Sequence, residues 1–389
     1  MKKLFFMVLA IVLLLSGCKP ETIDEPPPDW QLPSGIAYGE LEQAIDDYME
    51  YHKDYIPAVS VSVFTRDQVL LEKAYGYADI AGGVLNDADT VFEWGSITKT
   101  MVWVSAMQLY EQGKLDLNAD IRTYIPEDFF RHDFLYDEPI TMLNLMNHTS
   151  GLTAISTVRF DVEYGEKVDT LEQELRLAEL YQSYPPGKYQ LYSNYGAALA
   201  GYVVESISGM PFYEYVHSNI FKPLGMAHTA LKPDLSDNEW VNAQRDKLKC
   251  YSFMQDIGYQ RFQFPLYPAG MATGAIADLR RYGQALLPDA KGSSQLFTKA
   301  ATLAEMYTPT YISEVEGEDE YRHGFFKYPY MNVIGHGGTT RGCSSLLLID
   351  IDSGVGFVTM MNQRNDTVQV DKPYPKQFPE LIFGVDQLD

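Results

Sequence analysis

The sequence predicts an α+β fold in which one antiparallel β-sheet, assembled from both ends of the chain, is flanked by helices and carries an inserted all-helical lobe. Three observations lead to this prediction. Residues 56–65 alternate in the manner of a strand, and 69–77 continue as an antiparallel partner. Residues 124–265 have a mainly helical pattern, and strand-like runs return near the end of the chain.

The composition is that of a globular protein with ample apolar mass for a core. Of the 389 residues, 46% are hydrophobic and 21% are charged, which excludes disorder and collagen. The 53 acidic residues outnumber the 30 lysines and arginines, so the net charge is −23. Because no basic surface is available to neutralise phosphates, we expect no nucleic-acid partner.

The first seventeen residues have the pattern of a secretory signal peptide. Two lysines precede an apolar run over residues 4–15, which is too short to cross a hydrocarbon core of about 30 Å but suits an export signal. Residues 15–18, Leu-Ser-Gly-Cys, look like the bacterial lipobox. That resemblance implies removal of residues 1–17 and diacylation of Cys18; ordinary cleavage beside an incidental cysteine is the alternative.

A lipid on Cys18 would anchor an acidic body to a membrane. Residues 18–35 contain five prolines, so we expect an extended tether that spans roughly 50 Å at about 3.1 Å per residue. Loss of Lys2 and Lys3 takes the net charge from −23 to −25, so anionic lipid would repel the body and the acyl chain would hold it. We expect an exported bacterial lipoprotein on the outer face of the plasma membrane or on the outer membrane.

A helix is predicted over residues 96–112, ended by Gly113. Its apolar side chains surround the axis instead of lining one face. Such a helix is buried, not amphipathic.

The helical lobe is predicted over about 124–265, between sheet regions at about 36–123 and 266–389. Its helical segments are 171–181, 196–207 and 212–220. The late strands are 331–335, 344–351 and 354–361, of which the last two are joined by a hairpin turn.

The start of the buried helix carries an unusual pair, Ser96 and Lys99. A serine there can simply be the helix N-cap, but that interpretation leaves the lysine unexplained. The helix macrodipole and apolar surroundings both disfavour the lysine cation and lower its pKa. A neutral amine one helical turn away can deprotonate the Ser96 hydroxyl and make it a nucleophile.

Two further segments carry candidate functional residues. Tyr192 and Asn194 share one side of an extended loop, where the phenol can relay protons if a nearby cation lowers its pKa; packing is the alternative role for the tyrosine. His336 precedes Gly337, Gly338 and Thr339 at the end of an apolar strand. Paired glycines let a ligand or another backbone approach, or mark a bulge, and the histidine can equally be a core residue.

Two cysteines follow Cys18, namely Cys250 and Cys343. An exported chain carries them either as one disulfide or as two buried thiols, and the sequence leaves both open. No C-x-x-C or zinc-spaced cluster of His and Cys is present, so we expect no metal.

The three segments together resemble a known family. In this order and spacing, 96–99 (Ser-Ile-Thr-Lys), 192–194 (Tyr-Ser-Asn) and 336–338 (His-Gly-Gly) are similar to the three motifs of serine β-lactamase-like hydrolases. That family includes class C β-lactamases, penicillin-binding proteins, esterases and D-aminopeptidases. Shorter similarities at 148–152, 221–226 and 268–271 extend the resemblance over roughly residues 37–362.

The resemblance implies a catalytic domain over 36–389, with its cleft between sheet and helical lobe, and no metal or organic cofactor. Ser96 would form an acyl-enzyme, while Lys99 and Tyr192 shuttle protons. Asn194 would hold the substrate amide or orient Lys99. The backbone N–H groups of Ser96 and Thr339 would form the oxyanion hole.

One departure bears on the substrate. β-Lactamases and penicillin-binding proteins usually carry lysine where this chain has His336, which is largely neutral at pH 7. Without that cation, efficient β-lactamase activity is not expected, and the resemblance favours the esterase and D-amino-acid peptidase relatives. Arg341 would restore the charge if it points into the cleft, whereas a solvated arginine after a turn is the bland alternative.

We therefore expect a monomeric serine hydrolase acting on a small-molecule ester, a peptide or a cell-wall substrate. Two other hypotheses stay open. One is a catalytically silent lipoprotein that binds cell-wall fragments or a partner in the same cleft. The other is a true class C-like β-lactamase or DD-carboxypeptidase.

Overall fold

The computed structural model describes residues 25–131, 134–155, 159, 161–313, 320–328, 330–364 and 378–385. The predicted signal peptide and Cys18 lie outside these residues, so both stay predictions. Among the described residues, no helix has the length and apolar character needed to span a membrane.

The strands number eighteen in the described parts of the chain. In chain order they are β1 Ala58–Thr65, β2 Val69–Asp79, β3 Val84–Leu85, β4 Val91–Glu93, β5 Leu152–Ile155, β6 Val162–Glu163, β7 Glu179–Gln182, β8 Thr229–Ala230, β9 Cys250–Ser252, β10 Gln255–Gly258, β11 Phe262–Gln263, β12 Thr273–Ala275, β13 Tyr311–Ile312, β14 Glu320–Arg322, β15 Phe325–Tyr328, β16 Val333–Thr339, β17 Ser344–Asp350 and β18 Val355–Met361.

The α-helices of the same residues are α1 Tyr38–His52, α2 Thr98–Glu111, α3 Met142–Met146, α4 Leu171–Leu177, α5 Asn194–Ser208, α6 Phe212–Val216, α7 Lys222–Leu224, α8 Glu239–Arg245, α9 Ile276–Leu286, α10 Ala300–Met306 and α11 Phe378–Phe383. A π-helical turn, His217–Phe221, joins α6 to α7.

One nine-stranded antiparallel sheet unites the two ends of the chain, as predicted. Its order is β13-β14-β15-β16-β17-β18-β1-β2-β3. The junction is the β1–β18 pair, in register from Val59 opposite Met361 to Thr65 opposite Val355. The α+β fold class is therefore confirmed.

Both faces of this sheet are covered, although the alternation in β1 predicted only half-burial. Val59, Val61 and Val63 pack in a cluster with residues of α1 and α11, while α9 packs on the other face of β1, β17 and β18. Ser62, on that second face, is buried and donates its hydroxyl to the Leu71 carbonyl 3.0 Å away. Small polar residues in β1 thus lie beneath a helix and not in water.

The predicted tether packs against the body where it is described. Leu32 is only 2% exposed, and its backbone N–H donates to the Ile36 carbonyl at 2.9 Å. A Cβ on Gly39 would lie 3.2 Å from the Pro28 side chain. From Pro27 onward the chain is therefore docked beside α1, contrary to the expected extended conformation, because its apolar side chains find a surface there. Residues 18–24 lie outside the described residues.

The insertion is helical in its longer elements, but it is not all-helical. It also contains β5 paired with β7, and β6 paired with β11. The segment predicted as helix 171–181 ends after α4 and continues as β7. Strands of two to four residues are too short to show a period-two pattern, so the sequence did not reveal them.

The buried central helix is confirmed as α2. Every residue from Thr98 to Leu109 is buried, which matches apolar side chains that surround the axis. Gly113 follows with φ +70°, as a helix-ending glycine does.

Candidate active site

Ser96 lies in a single 3₁₀ turn, Gly95–Ile97, that leads into α2. Gly95 has a φ of +52°, and a Cβ there would lie 2.7 Å from the Thr339 nitrogen. Only glycine therefore lets this turn approach β16 so closely. The N-cap residue of α2 is Ile97, with no side-chain cap, so the interpretation of Ser96 as a helix cap is wrong.

Lys99 is fully buried and contacts three polar groups. Its Nζ lies 2.9 Å from Ser96 Oγ, 2.7 Å from Asn194 Oδ1 and 2.6 Å from the Ala269 carbonyl oxygen. None of these partners is a carboxylate. Burial lowers the pKa of Lys99 well below its usual value, because a lone cation loses its hydration there.

The three contacts are compatible with an uncharged amine. A neutral amine has two hydrogens and one lone pair. The Asn194 Oδ1 and Ala269 oxygens only accept hydrogen bonds, so they take both hydrogens. The lone pair is left facing the Ser96 hydroxyl, as a general base requires. Asn194 thus orients Lys99, one of the two roles implied for it.

Tyr192 lies over the same pair of residues. Its ring centroid is 4.9 Å from Lys99 Nζ. Although 39% of the residue is exposed, desolvation of the phenol raises the pKa of Tyr192 above its usual value, and a hydrogen bond with Ser96 only partly offsets this. The sequence-based expectation that a nearby cation lowers the phenol pKa is not met, because desolvation dominates and raises it. Tyr192 is therefore a protonated donor.

His148 supports this tyrosine from behind. Its Nδ1 accepts a hydrogen bond from the Ser193 N–H at 3.1 Å, and its ring centroid is 4.3 Å from that of Tyr192. Burial lowers the pKa of His148 well below its usual value. A neutral ring therefore packs under the phenol.

His336 is an uncharged core residue at the edge of the site. It is 2% exposed, and its Nδ1–H donates to the Gly337 carbonyl at 2.6 Å. Burial, which removes the hydration of a charged ring, lowers the pKa of His336 to about 3. Residue 336, where members of the family usually carry a lysine cation, is therefore neutral in this protein.

Gly338 allows β16 to lie against the Ser96 turn. A Cβ there would be 2.0 Å from the Trp94 carbonyl oxygen and 2.5 Å from Ser345 Oγ. A Cβ on Gly337, by contrast, would meet nothing within 3.8 Å. The close approach of a second backbone, one of the two readings of the paired glycines, is thus met at Gly338.

The Ser96 turn and β16 border one cavity of about 370 Å³. Three larger cavities contain none of the reactive groups: those of about 470 and 550 Å³ are lined mainly by the insertion, and one of about 390 Å³ lies between α1 and β2. Residues lining the first cavity are Gly95, Ser96, Asp161, Asn194, Phe262, Phe264, Ala269, Gly270, Thr339, Thr340, Arg341 and Arg364. Ser96 and Thr339, the predicted oxyanion pair, therefore face the same space.

Arg341 lines this cavity, but it is already paired. Its Nε lies 2.9 Å from Asp161 Oδ2, and its Nη1 lies 3.0 Å from Glu163 Oε1. Both carboxylates belong to the insertion, whereas Arg341 follows β16. The arginine thus points across the cleft, as one alternative required, and its charge is neutralised there by two acids.

Sequence reasoning missed several residues of the site. The Ala269 carbonyl and His148 lie in the shorter similarities at 268–271 and 148–152, so a signal for them existed. Asp161, Phe262 and Arg364 line the cavity without any local pattern that marks them. Only the folded chain brings them to Ser96.

The sequence matches the Beta-lactamase family model over residues 41–377. This chain therefore belongs to the beta-lactamase family, whose members are serine hydrolases. Among relatives, "Protein flp" of Staphylococcus aureus (strain MRSA252) is 24% identical over 331 residues, covering 84% of this chain and 64% of flp. A "Putative D-alanyl-D-alanine carboxypeptidase" of Salmonella agona (strain SL483) is 26% identical, covering 59% of this chain and 56% of that protein.

The chain thus spans about two thirds or less of the length of these relatives.

Solved structures share the fold. The D-amino acid amidase from Ochrobactrum anthropi SV3 has a TM-score of 0.67 at 22% identity, covering 83% of this chain and 91% of its own. The octameric penicillin-binding protein homologue from Pyrococcus abyssi has a TM-score of 0.67 at 21% identity, covering 84% and 73%.

Proposed function

We propose that this protein is an exported serine hydrolase that cleaves esters or D-amino-acid peptides through an acyl-enzyme on Ser96. The observation that carries the proposal is the fully buried Lys99 amine 2.9 Å from Ser96 Oγ, whose pKa burial lowers well below its usual value. A protein that only binds a ligand has no need of a nucleophile beside a desolvated base.

Acylation follows from these contacts. Lys99 Nζ takes the Ser96 proton as Oγ bonds to the substrate carbonyl carbon, and the carbonyl oxygen becomes an oxyanion. The backbone N–H groups of Ser96 and Thr339 would stabilise that charge. Tyr192 donates its proton to the leaving alcohol or amine, and the proton held by Lys99 then returns to Tyr192.

Deacylation repeats the same proton transfers, with water as the nucleophile. A water molecule loses a proton to Lys99 as it attacks the acyl carbon. The Ser96–acyl bond breaks, Ser96 Oγ recovers a proton from Tyr192, and the proton held by Lys99 returns to Tyr192. The free acid leaves and the resting protonation state is restored.

The charges around the cavity favour substrates without a free carboxylate. His336 is neutral, and Arg341 is paired with Asp161 and Glu163. A β-lactam or a D-alanyl-D-alanine end would find no cation at His336 and an Arg341 that is already paired with two carboxylates. Neutral esters and amides have no carboxylate and need no such cation for binding. The charges therefore favour an esterase or amidase over a true β-lactamase or DD-carboxypeptidase.

The test is covalent labelling followed by a hydrolysis panel. A fluorophosphonate probe should label the wild type and Ser105→Ala but not Ser96→Ala. Ser105 is the matched control because it is buried on the same helix and bonds the Met101 carbonyl at 2.7 Å. Lys99→Met should lower kcat/KM for a p-nitrophenyl ester about 10²–10⁴-fold, the usual contribution of a general base.

Absence of labelling in the wild type would instead favour a silent lipoprotein that binds cell-wall fragments. Turnover of nitrocefin or D-alanyl peptides above that of p-nitrophenyl esters and D-amino-acid amides would favour the β-lactamase or carboxypeptidase hypothesis.

We further propose that Cys18 carries the lipid that anchors a monomer at the cell surface. The support is the lipobox-like pattern of residues 15–18. Radiolabelled palmitate should be incorporated by the wild type and not by Cys18→Ser, and light scattering on the Cys18→Ser protein should give the mass of one chain. Equal incorporation by both proteins would refute lipidation at this residue.

A further inference from the structure

Two cysteines on distant parts of the chain meet beside the active-site strand. Cys250 begins β9 and Cys343 directly precedes β17, ninety-three positions later. Both side chains are fully buried free thiols. Neither takes part in the proposed acyl transfer.

The backbone holds the two residues side by side. A Cβ on Gly342, the neighbour of Cys343, would lie 2.4 Å from both Cβ and Sγ of Cys250. The residues that follow each cysteine bind one short segment: Tyr251 N–H donates to the Asn362 carbonyl at 2.9 Å, and Ser344 Oγ donates to the Gln363 carbonyl at 2.5 Å. The two thiols contact each other across this junction.

The pair is chemically asymmetric. Arg245, itself paired with Glu93 at 2.9 Å, has Nη2 3.7 Å from Cys250 Sγ. The hydrogen bond from Cys343 and the Arg245 cation lower the pKa of the Cys250 thiol despite its burial. The same thiol contact and burial raise the pKa of Cys343. Cys250 is therefore the better nucleophile and Cys343 the resolving thiol.

We propose that Cys250 and Cys343 form a disulfide under oxidising conditions, joining the insertion to the turn that follows β16. As the chain folds and before the pair is fully covered, the Cys250 thiolate attacks one sulfur of glutathione disulfide and releases one glutathione thiolate. Cys343 then loses its proton and attacks Cys250 Sγ of the mixed disulfide, releasing the second. Two protein thiols are oxidised to one disulfide, and glutathione disulfide is reduced to two glutathione molecules.

The bond would restrain part of the active site. Cys343 closes the turn 340–342: the Thr340 N–H donates to the Cys343 carbonyl at 2.9 Å, and the Cys343 N–H donates to Thr340 Oγ1 at 3.0 Å. This turn carries Arg341 and follows Thr339. Oxidation therefore ties the rim of the substrate cavity to β9.

The experiment uses the full chain with Cys18→Ser, so that only Cys250 and Cys343 remain of its three cysteines. The protein is unfolded, refolded with reduced and oxidised glutathione, alkylated with N-ethylmaleimide under denaturing conditions and weighed. We expect no alkylated thiol, a mass 2 Da below that of the dithiothreitol-treated protein before alkylation, and two alkylated thiols after that treatment. Closing so long a loop should raise Tm on the order of 5 °C, and hydrogen exchange at 340–343 should slow.

Cys250→Ser and Cys343→Ser are the matched controls, and neither should show a Tm that depends on dithiothreitol. Two free thiols in the refolded wild type, covalent dimers through these cysteines, or the same Tm shift in either control would overturn the proposal. Unchanged exchange at 340–343 in the oxidised protein would overturn the restraint of the turn. If a control fails to fold, the thiol count and Tm of the oxidised and reduced parent protein still decide.

Discussion

Removing the two acids that pair with Arg341 should change which substrates this protein prefers. The double variant Asp161→Asn, Glu163→Gln keeps the side-chain shapes and leaves Arg341 without either carboxylate, which lie 2.9 and 3.0 Å from it in the wild type. Its guanidinium can then bind a carboxylate on a substrate. We expect selectivity to shift toward substrates that carry a free carboxylate.

The magnitude follows from the exposure of these groups. The side chain of Arg341 is 28% exposed, and those of Asp161 and Glu163 are 45% and 70% exposed. Solvent screening limits such pairs to about 0.2–1 kcal/mol each. Loss of both should therefore cost no more than about 2 kcal/mol of folding stability. A new Arg341 contact with a substrate carboxylate, similarly screened, should be worth about 1 kcal/mol, or roughly 5-fold in kcat/KM.

The assay compares two p-nitrophenyl esters of equal acyl length, one ending in a methyl group and one in a carboxylate. The kcat/KM ratio of carboxylate to methyl substrate should rise roughly 5-fold in the double variant and return to the wild-type ratio when Arg341→Ala is added. The double variant Glu42→Gln, Asp46→Asn, which removes two remote partners of Lys73 at 2.9 and 2.7 Å, controls for the same change in net charge. An unchanged ratio in the Asp161 and Glu163 double variant, or an equal rise in this control, would refute the reasoning.

Two further predictions concern the base and the strand that borders it. Because burial lowers the pKa of Lys99, kcat/KM for a neutral ester should fall as the pH drops through a midpoint well below 10.5. No decline should appear up to pH 10, because desolvation raises the pKa of Tyr192. A midpoint near 10.5 would contradict an uncharged amine. Gly338→Ala should destabilise the fold by about 1–3 kcal/mol and cut activity at least 10-fold, because its Cβ would meet the Trp94 carbonyl at 2.0 Å. Gly337→Ala, whose Cβ has space, should leave both nearly unchanged in thermal melts and ester assays, and a similar loss in the two variants would disprove the steric argument.

Local patterns were sufficient for the long elements and for the reactive pair. The apolar residues around the axis of α2 and the alternation in β1 depend only on neighbours along the chain, and so does the spacing of Ser96 and Lys99 on consecutive helical turns. These features were predicted with errors of a few residues at their ends. The short strands of the insertion were missed because two to four residues carry no readable period.

Protonation states were harder, since they depend on groups far apart in sequence. The low pKa of Lys99 was expected, but its two acceptors, Asn194 Oδ1 and the Ala269 carbonyl, come from an insertion helix and a turn. The opposite expectation for Tyr192 assumed a cation that the folded site does not contain. Burial is a property of the assembled core, so no local pattern could supply it.

The sequence by itself identified the nucleophile, its base and the strand beside them. Each is a short local pattern, and helical or extended backbone geometry fixes how residues close in sequence are placed relative to one another. The cavity and the charge balance at Arg341 arise only when the insertion folds back over the sheet. Asp161 and Glu163 lie about 180 positions before their partner, and contacts over that separation are set by packing of whole layers and not by any local rule.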